Sequence, residues 1–496
     1  MKKNRPFPSR PASKPLRASL TLALLSTFLA GGAHAAGPFG AARTVFDSEV
    51  SSVNGNQTVL SIQDKDGSVG ADAIGQQVGI TMVGPQQGSS HTVVDNQVAA
   101  SATGNTLSNA VDLSLVARTL QSDGAASLGV QFNDAVINSN TRFNSVALDL
   151  TGFVAGGASV LGNSIAASTT LNGGASSIAG TVPLGYVSPA FGQSNASNGF
   201  GLGGGNLSAS GSVVVTSIQQ AFGPGSSADA QQNEIVLQVG TVGGSPVTSA
   251  LALEGNTISA TLKGNAATSL ADLRAGGAPA FAGSAVVSNL QSLSAGGEGV
   301  HTANNIDSAI VAGVYGDGEG EGEGGVGALS GRLSVQGNAI TASVTGNAAL
   351  GALPGVAGNR IVLADGLSFA GAGGGSINHS DAFGGGPSFT LVAADLAIAN
   401  NQSNLGTVLS SNTGFAQVGA FAQSLQGGTI VLAGNQVTAD ATGNAASSAF
   451  ASAQNAASFA GTVALANQQG NFGTLTEAVT GPSMIGAWVA PNGDGT

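Results

Sequence analysis

The sequence predicts an all-β protein, an elongated β-solenoid (β-helix-like) built from tandem Gly-Asn and Asn-x-Gln repeats with glycine-rich loops between them. Three observations predict this fold class. Apolar and polar residues alternate in short segments, segments of similar sequence recur along the chain, and helical periodicity is poor throughout. Because a period of two places alternate side chains on one face, each segment is expected to be a strand with one buried face. An array of β-sandwich-like modules of about 90 residues is the alternative architecture.

The composition favours a narrow core of small side chains. Apolar residues make up 42% of the chain, whereas aromatic residues make up 4% and charged residues 8%. Such a chain has apolar surface to bury, unlike a typical disordered segment of high charge and low hydrophobicity. Cysteine is absent, which excludes disulfides, thiol catalysis and Cys-type metal sites. Stability must therefore come from repetition or size.

Five segments share a pattern in which an Asn is followed nine positions later by a second Asn. The alternation between the two Asn predicts that Ile258 and Ile340 point inward and that Thr257 and Ala339 do not. Four of the segments close on Gly-Asn, and both residue types tolerate positive φ, so we expect the strand to bend there and restart. The segments are 96–105, 163–172 (closed by Leu171-Asn172), 256–265, 338–347 and 435–444.

A second pattern interleaves with the first and consists of two apolar residues followed by polar residues at alternate positions. Its in-strand amides Asn289, Asn400 and Asn467 predict a ladder, since each amide can donate to a coil on one side and accept from a coil on the other. For the Asn of each Gly-Asn pair we favour a role in a turn over a role in a ladder, because Asn is common in turns. The compound repeat takes about 70–100 residues, and coils of roughly 20–30 residues would number about 15–23. The second-pattern segments are 213–219, 285–291, 396–402 and 463–469.

The chain is expected to divide into a signal peptide (1–35), an N-terminal β region or cap (36–90), a repeat region (91–480) and a C-terminal tail or cap (481–496). The signal peptide is predicted because a basic segment without acids precedes the apolar run 18–30 and the small-residue site Ala33-His34-Ala35. The run is shorter than the roughly 20 residues of a membrane span. We therefore expect a mature protein that begins at Ala36 and is secreted, extracellular or on the outer cell surface.

The charge of the mature chain excludes one class of partner. Cleavage removes six of the fourteen basic residues and none of the twenty-six acidic ones, which leaves a balance of 8 − 26 = −18. A surface of this charge repels nucleic acid and anionic lipid. Nucleic acid is therefore not an expected partner, and we expect the protein on the outer surface of the cell rather than inserted in the bilayer.

The candidate chemical groups do not form a recognisable site in the sequence. His91, His301 and His379 are single residues without a second His at metal-ligand spacing, so we expect them in exposed loops. The run that contains Asp317, Glu319, Glu321 and Glu323 and the segment Asp64-Lys65-Asp66-Gly67 lack the full pattern of a calcium loop and are interpreted as solvated acidic loops. The sequence predicts no catalytic, cofactor-binding or metal-binding residues, no cofactor, and no enzymatic activity.

In its Gly-Asn and Asn-x-Gln motifs the chain resembles Gram-negative secreted β-solenoid repeat adhesins. More distantly, it resembles surface fibre proteins with Gln-Asn ladders, the curli-like functional amyloids. Val463–Gln469 with Asn471 is the nearest segment to an amyloid-type repeat. Export, repetition and this resemblance together imply a structural or adhesive protein for attachment, biofilm matrix or a surface layer. Its expected partners are further copies of itself, other surface proteins or polysaccharide. A secreted carbohydrate-active β-helix enzyme is the alternative function.

The last residues leave two interpretations open. Residues 478–496 either fold over the last coil as a cap, with Trp488 as its apolar plug, or leave an open end for self-association.

Overall fold

The structure, a computed structural model, consists of β-strands, turns and short connections, and it has no helix in the residues that it describes. The all-β class is therefore confirmed. All described residues belong to one unit, Phe39–Thr496. The signal peptide predicted at 1–35 and the glycine-rich segments 201–205 and 317–325 lie outside them. The described residues are 40–46, 49–55, 57–112, 124–182, 186–187, 192–197, 206–241, 246–275, 280–294, 299–316, 327–351, 356–363, 367–371, 374–380, 389–452, 458–473 and 476–489.

The strands follow the chain in six successive repeats, here called repeats 1 to 6. Two strands precede repeat 1: β1 (Gly40–Phe46) and β2 (Glu49–Gly55). Repeat 1 contains β3 (Gln57–Lys65), β4 (Val69–Ile74), β5 (Gln77–Val94) and β6 (Gln97–Asp112). Repeat 2 contains β7 (Ala125–Asn133), β8 (Ile137–Arg142), β9 (Ser145–Leu161), β10 (Ser164–Val182), β11 (Tyr186–Val187), β12 (Gly192–Ser197) and β13 (Asn206–Gly211).

The two central repeats keep this order of strands. Repeat 3 contains β14 (Val213–Ala221), β15 (Ser226–Gln231), β16 (Glu234–Thr241), β17 (Ala250–Glu254), β18 (Thr257–Ala275) and β19 (Ala280–Gly283). Repeat 4 contains β20 (Ala285–Leu293), β21 (Val300–Ile306), β22 (Ala309–Gly316), β23 (Ala328–Leu329), β24 (Arg332–Gln336), β25 (Ala339–Ala349), β26 (Asn359–Leu363), β27 (Ser368–Gly371), β28 (Ser376–Ser380) and β29 (Phe389–Ala393).

The last two repeats follow the same order, and the described part of repeat 6 contains three strands. Repeat 5 contains β30 (Leu396–Asn404), β31 (Thr407–Thr413), β32 (Ala416–Ala422), β33 (Ser424–Leu425), β34 (Thr429–Ala433), β35 (Gln436–Ala446), β36 (Ser448–Ser452) and β37 (Ser458–Ala460). Repeat 6 contains β38 (Val463–Asn471), β39 (Thr476–Thr480) and β40 (Ser483–Val489).

Corresponding strands of successive repeats pair in parallel and form five stacked sheets. Sheet I is β3-β7-β14-β20-β30-β38, and sheet II is β4-β8-β15-β21-β31-β39. Sheet III contains β5, β9, β16, β17, β22, β24, β32, β34 and β40, and sheet IV contains β6, β10, β18, β25, β26, β35 and β36. Sheet V is β11-β19-β27-β37, and β23 pairs with β33 outside these sheets. Parallel strands in stacked sheets are consistent with a β-solenoid and differ from sandwich modules, whose sheets are antiparallel.

The length of one repeat corrects the expected coil size. Hydrogen-bonded partners in adjacent strands of sheet I are 68, 88, 72, 111 and 67 residues apart in the chain. The expected coils of roughly 20–30 residues are therefore wrong, and one compound repeat provides one level of the stack. The reason is that the two sequence patterns lie in different sheets, so each segment stacks on its own kind one full compound repeat away.

The burial of the strands follows the predicted alternation. Ile258 pairs in register with Ile340, and both are fully buried, whereas Thr257 and Ala339 are half-buried. The predicted facing of these residues is confirmed. The apolar side chains of sheets II and III and of the first halves of the sheet IV strands form one core cluster. A second cluster lies between sheet I, sheet V and the later part of sheet IV.

The four inner strands of sheet I, β7, β14, β20 and β30, are buried on both faces, because a sixth sheet covers them. Sheet VI is antiparallel, in the order β1-β2-β12-β13-β28-β29, and repeats 2 and 4 each contribute two of its strands. Leu207, Ile377 and Val392 of sheet VI pack in one cluster with Leu128 and Ile218 of sheet I. A strand buried on both faces is a near-continuous apolar run, which explains the Val-Val-Val of 213–215.

Candidate functional site

A column of glutamines crosses sheet I with one member in each of its six strands. In every contact the Nε2 of one Gln donates to the Oε1 of the Gln in the preceding repeat, at N···O distances of 2.6 to 2.9 Å. All donors therefore point toward repeat 1. The members in repeats 3 to 5 are fully buried. The column consists of Gln63, Gln131, Gln219, Gln291, Gln402 and Gln469.

Each interior glutamine also ties sheet I to sheet IV. The second N–H of its amide donates to a backbone carbonyl of sheet IV, at 3.0 Å in all four interior repeats. For Gln219 this acceptor is Ala266, and for Gln291 it is Ala348. Both N–H groups and the oxygen of each interior amide are thus satisfied, which removes the cost of burying them.

The shorter predicted ladder of in-strand asparagines is confirmed. Asn289 Nδ2 donates to Asn400 Oδ1, and Asn400 Nδ2 donates to Asn467 Oδ1, both at 2.8 Å. In the preceding repeat Ser217 occupies the paired position. The ladder therefore spans only the repeats in which the sequence has Asn.

The first Asn of each Gly-Asn segment forms a second long column at the corner between sheets III and IV. Its Nδ2 donates to the Oδ1 of the corresponding Asn in the next repeat, at 2.9 to 3.1 Å, and its backbone N–H donates to the same oxygen. The preceding residue has positive φ in every repeat, which makes the corner. Turn and ladder thus occur together at these positions. The column is Asn96, Asn163, Asn256, Asn338 and Asn435.

The closing Asn of each segment forms a third column. The predicted turn with positive φ is wrong here, although the buried positions of β6 do shift by one residue at Gly104-Asn105. The strands run through these positions, and the glycines before them do not have positive φ. Each Nδ2 donates to the next Asn Oδ1 at 2.7 to 2.9 Å and to a backbone carbonyl of sheet I. The column is Asn105, Asn172, Asn265, Asn347 and Asn444.

Close packing, rather than backbone conformation, explains the glycine before the closing Asn. The pairing register skips this position, and a Cβ at Gly264 would lie 2.3 Å from the carbonyl oxygen of Gly346. A Cβ at Gly346 would lie 2.5 Å from the carbonyl oxygen of Gly443. Both distances are far below van der Waals contact, so only glycine fits without a backbone shift.

Sequence reasoning missed a fourth column, at the corner between sheets II and III. Asn144 Nδ2 donates to Asn233 Oδ1 at 2.9 Å, and the residues before them, Phe143 and Gln232, have φ of 55° and 50°. The available signal was an Asn two positions before an inward apolar residue, as in Asn144-Ser145-Val146. The same spacing recurs in Asn163-Ser164-Ile165.

A column of aromatic rings in sheet V was also missed. The ring centroids of Phe281 and Phe369 are 5.7 Å apart, and those of Phe369 and Phe459 are 5.2 Å apart. The motif Phe-Ala-Gly recurs at 281–283, 369–371 and 459–461, and this recurrence was the available sequence signal for the column.

The prediction that the histidines lie in exposed loops is wrong. His91, His301 and His379 lie on strands β5, β21 and β28, and His301 and His379 are buried. His379 Nε2 lies 2.8 Å from Ser288 Oγ, which links sheet VI to sheet I. Burial lowers the pKa of His301 and of His379 to about 4, because desolvation disfavours the charged imidazolium.

The other sequence candidates do not come together in the structure. Asp64 and Lys65 lie in β3 rather than in the predicted loop, and Asp66 and Gly67 lie between β3 and β4, where Gly67 has φ of 79°. The acidic residues 317–323 lie outside the described residues. Among the residues that are described, no three His, Asp or Glu side chains group as metal ligands would. No helix in that part of the chain has the length and apolarity of a membrane span.

Repeat 6 is the last level of the stack in the described part of the chain. Strands β38, β39 and β40 are the last strands of sheets I, II and III in the described part of the chain. Leu465 is 47% exposed, whereas Ile398, its partner in β30, is fully buried. Trp488, interpreted as a plug over this end, instead lies in β40 in register with Phe421 of sheet III.

Comparison with known proteins gives no relative. No family model, curated protein or solved structure matches the chain.

Proposed function

We propose that this chain is an exported structural or adhesive repeat protein of the cell surface or extracellular space, with a role in attachment, biofilm matrix or a surface layer. The observation that carries the proposal is the set of amide columns that run through successive repeats. Such columns satisfy buried polar groups and fix the register between levels, so they favour a rigid stack. A rigid, repetitive stack serves as a scaffold for contact surfaces.

The proposed architecture is a β-solenoid in which each repeat closes into one coil. Repeats 1 to 5 enter sheets I, II, III and IV in the same order, and each strand pairs in parallel with the copies before and after it. Two corners of this path carry positive-φ residues, followed by Asn throughout the corner between sheets III and IV and by Asn144 and Asn233 at the corner between sheets II and III. Small-angle scattering from the mature protein tests closure, because closed coils predict a rod with the cross-section of a single coil.

The outer face of sheet II offers a surface for surface proteins or polysaccharide, the proposed partners. Asn140 donates to Asp72 at 2.8 Å, Asn304 donates to Asp229 at 2.8 Å, and Ser411 donates to Asn304 at 2.7 Å. Aligned amides, carboxylates and hydroxyls can exchange hydrogen bonds with the hydroxyls of an uncharged glycan.

Deletion of the gene in the native host tests the function. We expect the wild-type protein in the surface or extracellular fraction with an intact mass that starts at Ala36, and we expect the deletion strain to lose attachment or biofilm. Complementation with the full chain should restore the phenotype, whereas a version without residues 1–35 should not. Normal attachment by the deletion strain, or a surface protein that starts at Met1, would contradict the proposal.

A further inference from the structure

We propose that the repeat 6 end of the stack binds the repeat 1 end of a second copy of this chain, so that copies add head to tail. The join pairs β38 with β3, β39 with β4 and β40 with the first half of β5, in the register that these strands keep inside one copy. Within the described residues sheet IV ends one level earlier, at β35 and β36, so the proposed join involves sheets I and II and the β40 part of sheet III. This inference deepens the proposed function by naming a partner.

The direction of the glutamine column makes the two ends complementary. Because every Nε2 in the column donates toward repeat 1, Gln469 donates to Gln402 and its own Oε1 has no donor among the described residues. At the other end, Gln63 accepts from Gln131 and gives one N–H to the carbonyl of Thr106, which leaves its second N–H without an acceptor there. A second copy places that N–H opposite the oxygen of Gln469, at the spacing of the column.

The inward apolar side chains of the two ends also match. By the internal register, Leu465 would cover Val59, Ile485 would cover Val78, and Val489 would cover Met82 of the second copy. Leu465, Ile485 and Val489 are 43–48% exposed, although the residues at their positions in repeat 5 are fully buried. The join would give each of these side chains the environment that its equivalents have inside the stack.

The backbone supports the same join. Strands at the edge of a sheet present unpaired N–H and C=O groups, and a parallel partner in register satisfies them. The inward positions of β38 are Val463, Leu465, Asn467 and Gln469, and none of them is charged. The one charge on the matching face of β3 is Lys65, which the internal register places opposite the uncharged amide of Asn471. The mature charge of −18 opposes association, so we expect assembly to increase with ionic strength.

Cysteine cross-linking of the mature full chain tests the register, because the natural chain has no cysteine. Adjacent strands lie about 4.8 Å apart, within the range that a disulfide spans. A mixture of the variants Leu465→Cys and Val59→Cys should form mixed dimers on oxidation. The matched control is Leu465→Cys with Leu60→Cys, whose side chain faces the opposite side of β3, and it should not cross-link.

Sedimentation of uncross-linked protein tests the assembly itself. Wild-type protein should sediment as a concentration-dependent series of oligomers, and Leu465→Lys should be monomeric with an unchanged circular dichroism spectrum. Leu350→Lys places the same charge at an exposed leucine between β25 and β26 and should assemble as the wild type does.

Monomeric wild-type protein at high concentration and salt, or cross-links between two copies of Leu465→Cys alone, would overturn the head-to-tail join. Neither result bears on attachment by cells, so failure of this inference and failure of the proposed function are distinguishable.

Discussion

Replacement of Gln291 by leucine removes the central member of the glutamine column. Gln291 is fully buried, donates to Gln219 Oε1 at 2.8 Å and to the carbonyl of Ala348 at 3.0 Å, and accepts from Gln402 Nε2 at 2.6 Å. Leucine has nearly the same volume but cannot make any of these bonds. The variant therefore leaves three buried groups without their partner: the Oε1 of Gln219, the carbonyl oxygen of Ala348 and the Nε2 of Gln402.

The loss of stability follows from those three groups. A buried polar group without a partner costs about 1–3 kcal/mol, and adjacent effects are not additive, so the three together cost about 3–6 kcal/mol. The additional apolar surface of leucine returns about 1–2 kcal/mol. We expect the free energy of unfolding to fall by about 1–5 kcal/mol, which is substantial beside the 5–15 kcal/mol typical of a folded protein.

Denaturant unfolding of the mature protein, followed by circular dichroism, measures this loss, and Gln469→Leu is the matched control. Gln469 is exposed and makes a single amide bond, to Gln402 at 2.7 Å, so its replacement should cost less than about 1 kcal/mol. The double variant Gln219→Leu, Gln291→Leu should lose less than the sum of the two single variants, because it removes two members of one contact. Equal losses at Gln291 and Gln469 would refute the reasoning that the buried column stabilises the stack.

Three further predictions concern single buried positions. Gly346→Ala places a Cβ 2.5 Å from the backbone carbonyl oxygen of Gly443. The variant should lower the free energy of unfolding by about 1–3 kcal/mol. An unchanged midpoint of denaturant unfolding would contradict the close-packing explanation. Asn401 is buried, neither of its side-chain amide atoms has a hydrogen-bond partner, and its register partner in β20 is Leu290. Asn401→Leu removes about 1–3 kcal/mol of desolvation cost, so it should raise the midpoint temperature of thermal unfolding. The pKa of His301 and of His379 is about 4 in the folded protein and about 6.5 in the unfolded chain. Between pH 4 and pH 6.5 the unfolded chain therefore binds more protons, and the folded protein should lose stability as the pH falls through this range. The expected loss is about 2 kcal/mol per histidine at pH 5. Denaturation at pH 7.5 and pH 5 measures this loss, and a double His→Gln variant with the wild-type dependence on pH would show that other groups cause it.

Part of the ladder chemistry could be predicted from the sequence, because a ladder needs the same residue at the same position of each repeat. The two columns of the Gly-Asn segments were assigned to turns instead, because Asn is also common there. The Asn-x-Gln word identified Asn289 and Asn400, and the alternation around Ile258 identified the inward face. The fourth asparagine column escaped because only Asn144 and Asn233 carry it. The histidines were misplaced because a lone side chain has no periodicity from which its burial could be inferred.

The sequence by itself determined the alternating strand segments, the inward facing of residues such as Ile258 and the short ladder of Asn289, Asn400 and Asn467, since these depend on local alternation and on recurring motifs. Only the tertiary structure decided which segments stack on which, because pairing depends on the whole path between copies, here 67 to 111 residues long in sheet I. It also decided why Gly264 and Gly346 are glycines, since the atoms that exclude a Cβ belong to strands from the following repeat. The direction of each amide column is likewise a tertiary property, because an amide in a strand can donate toward either neighbour until both neighbours are in place.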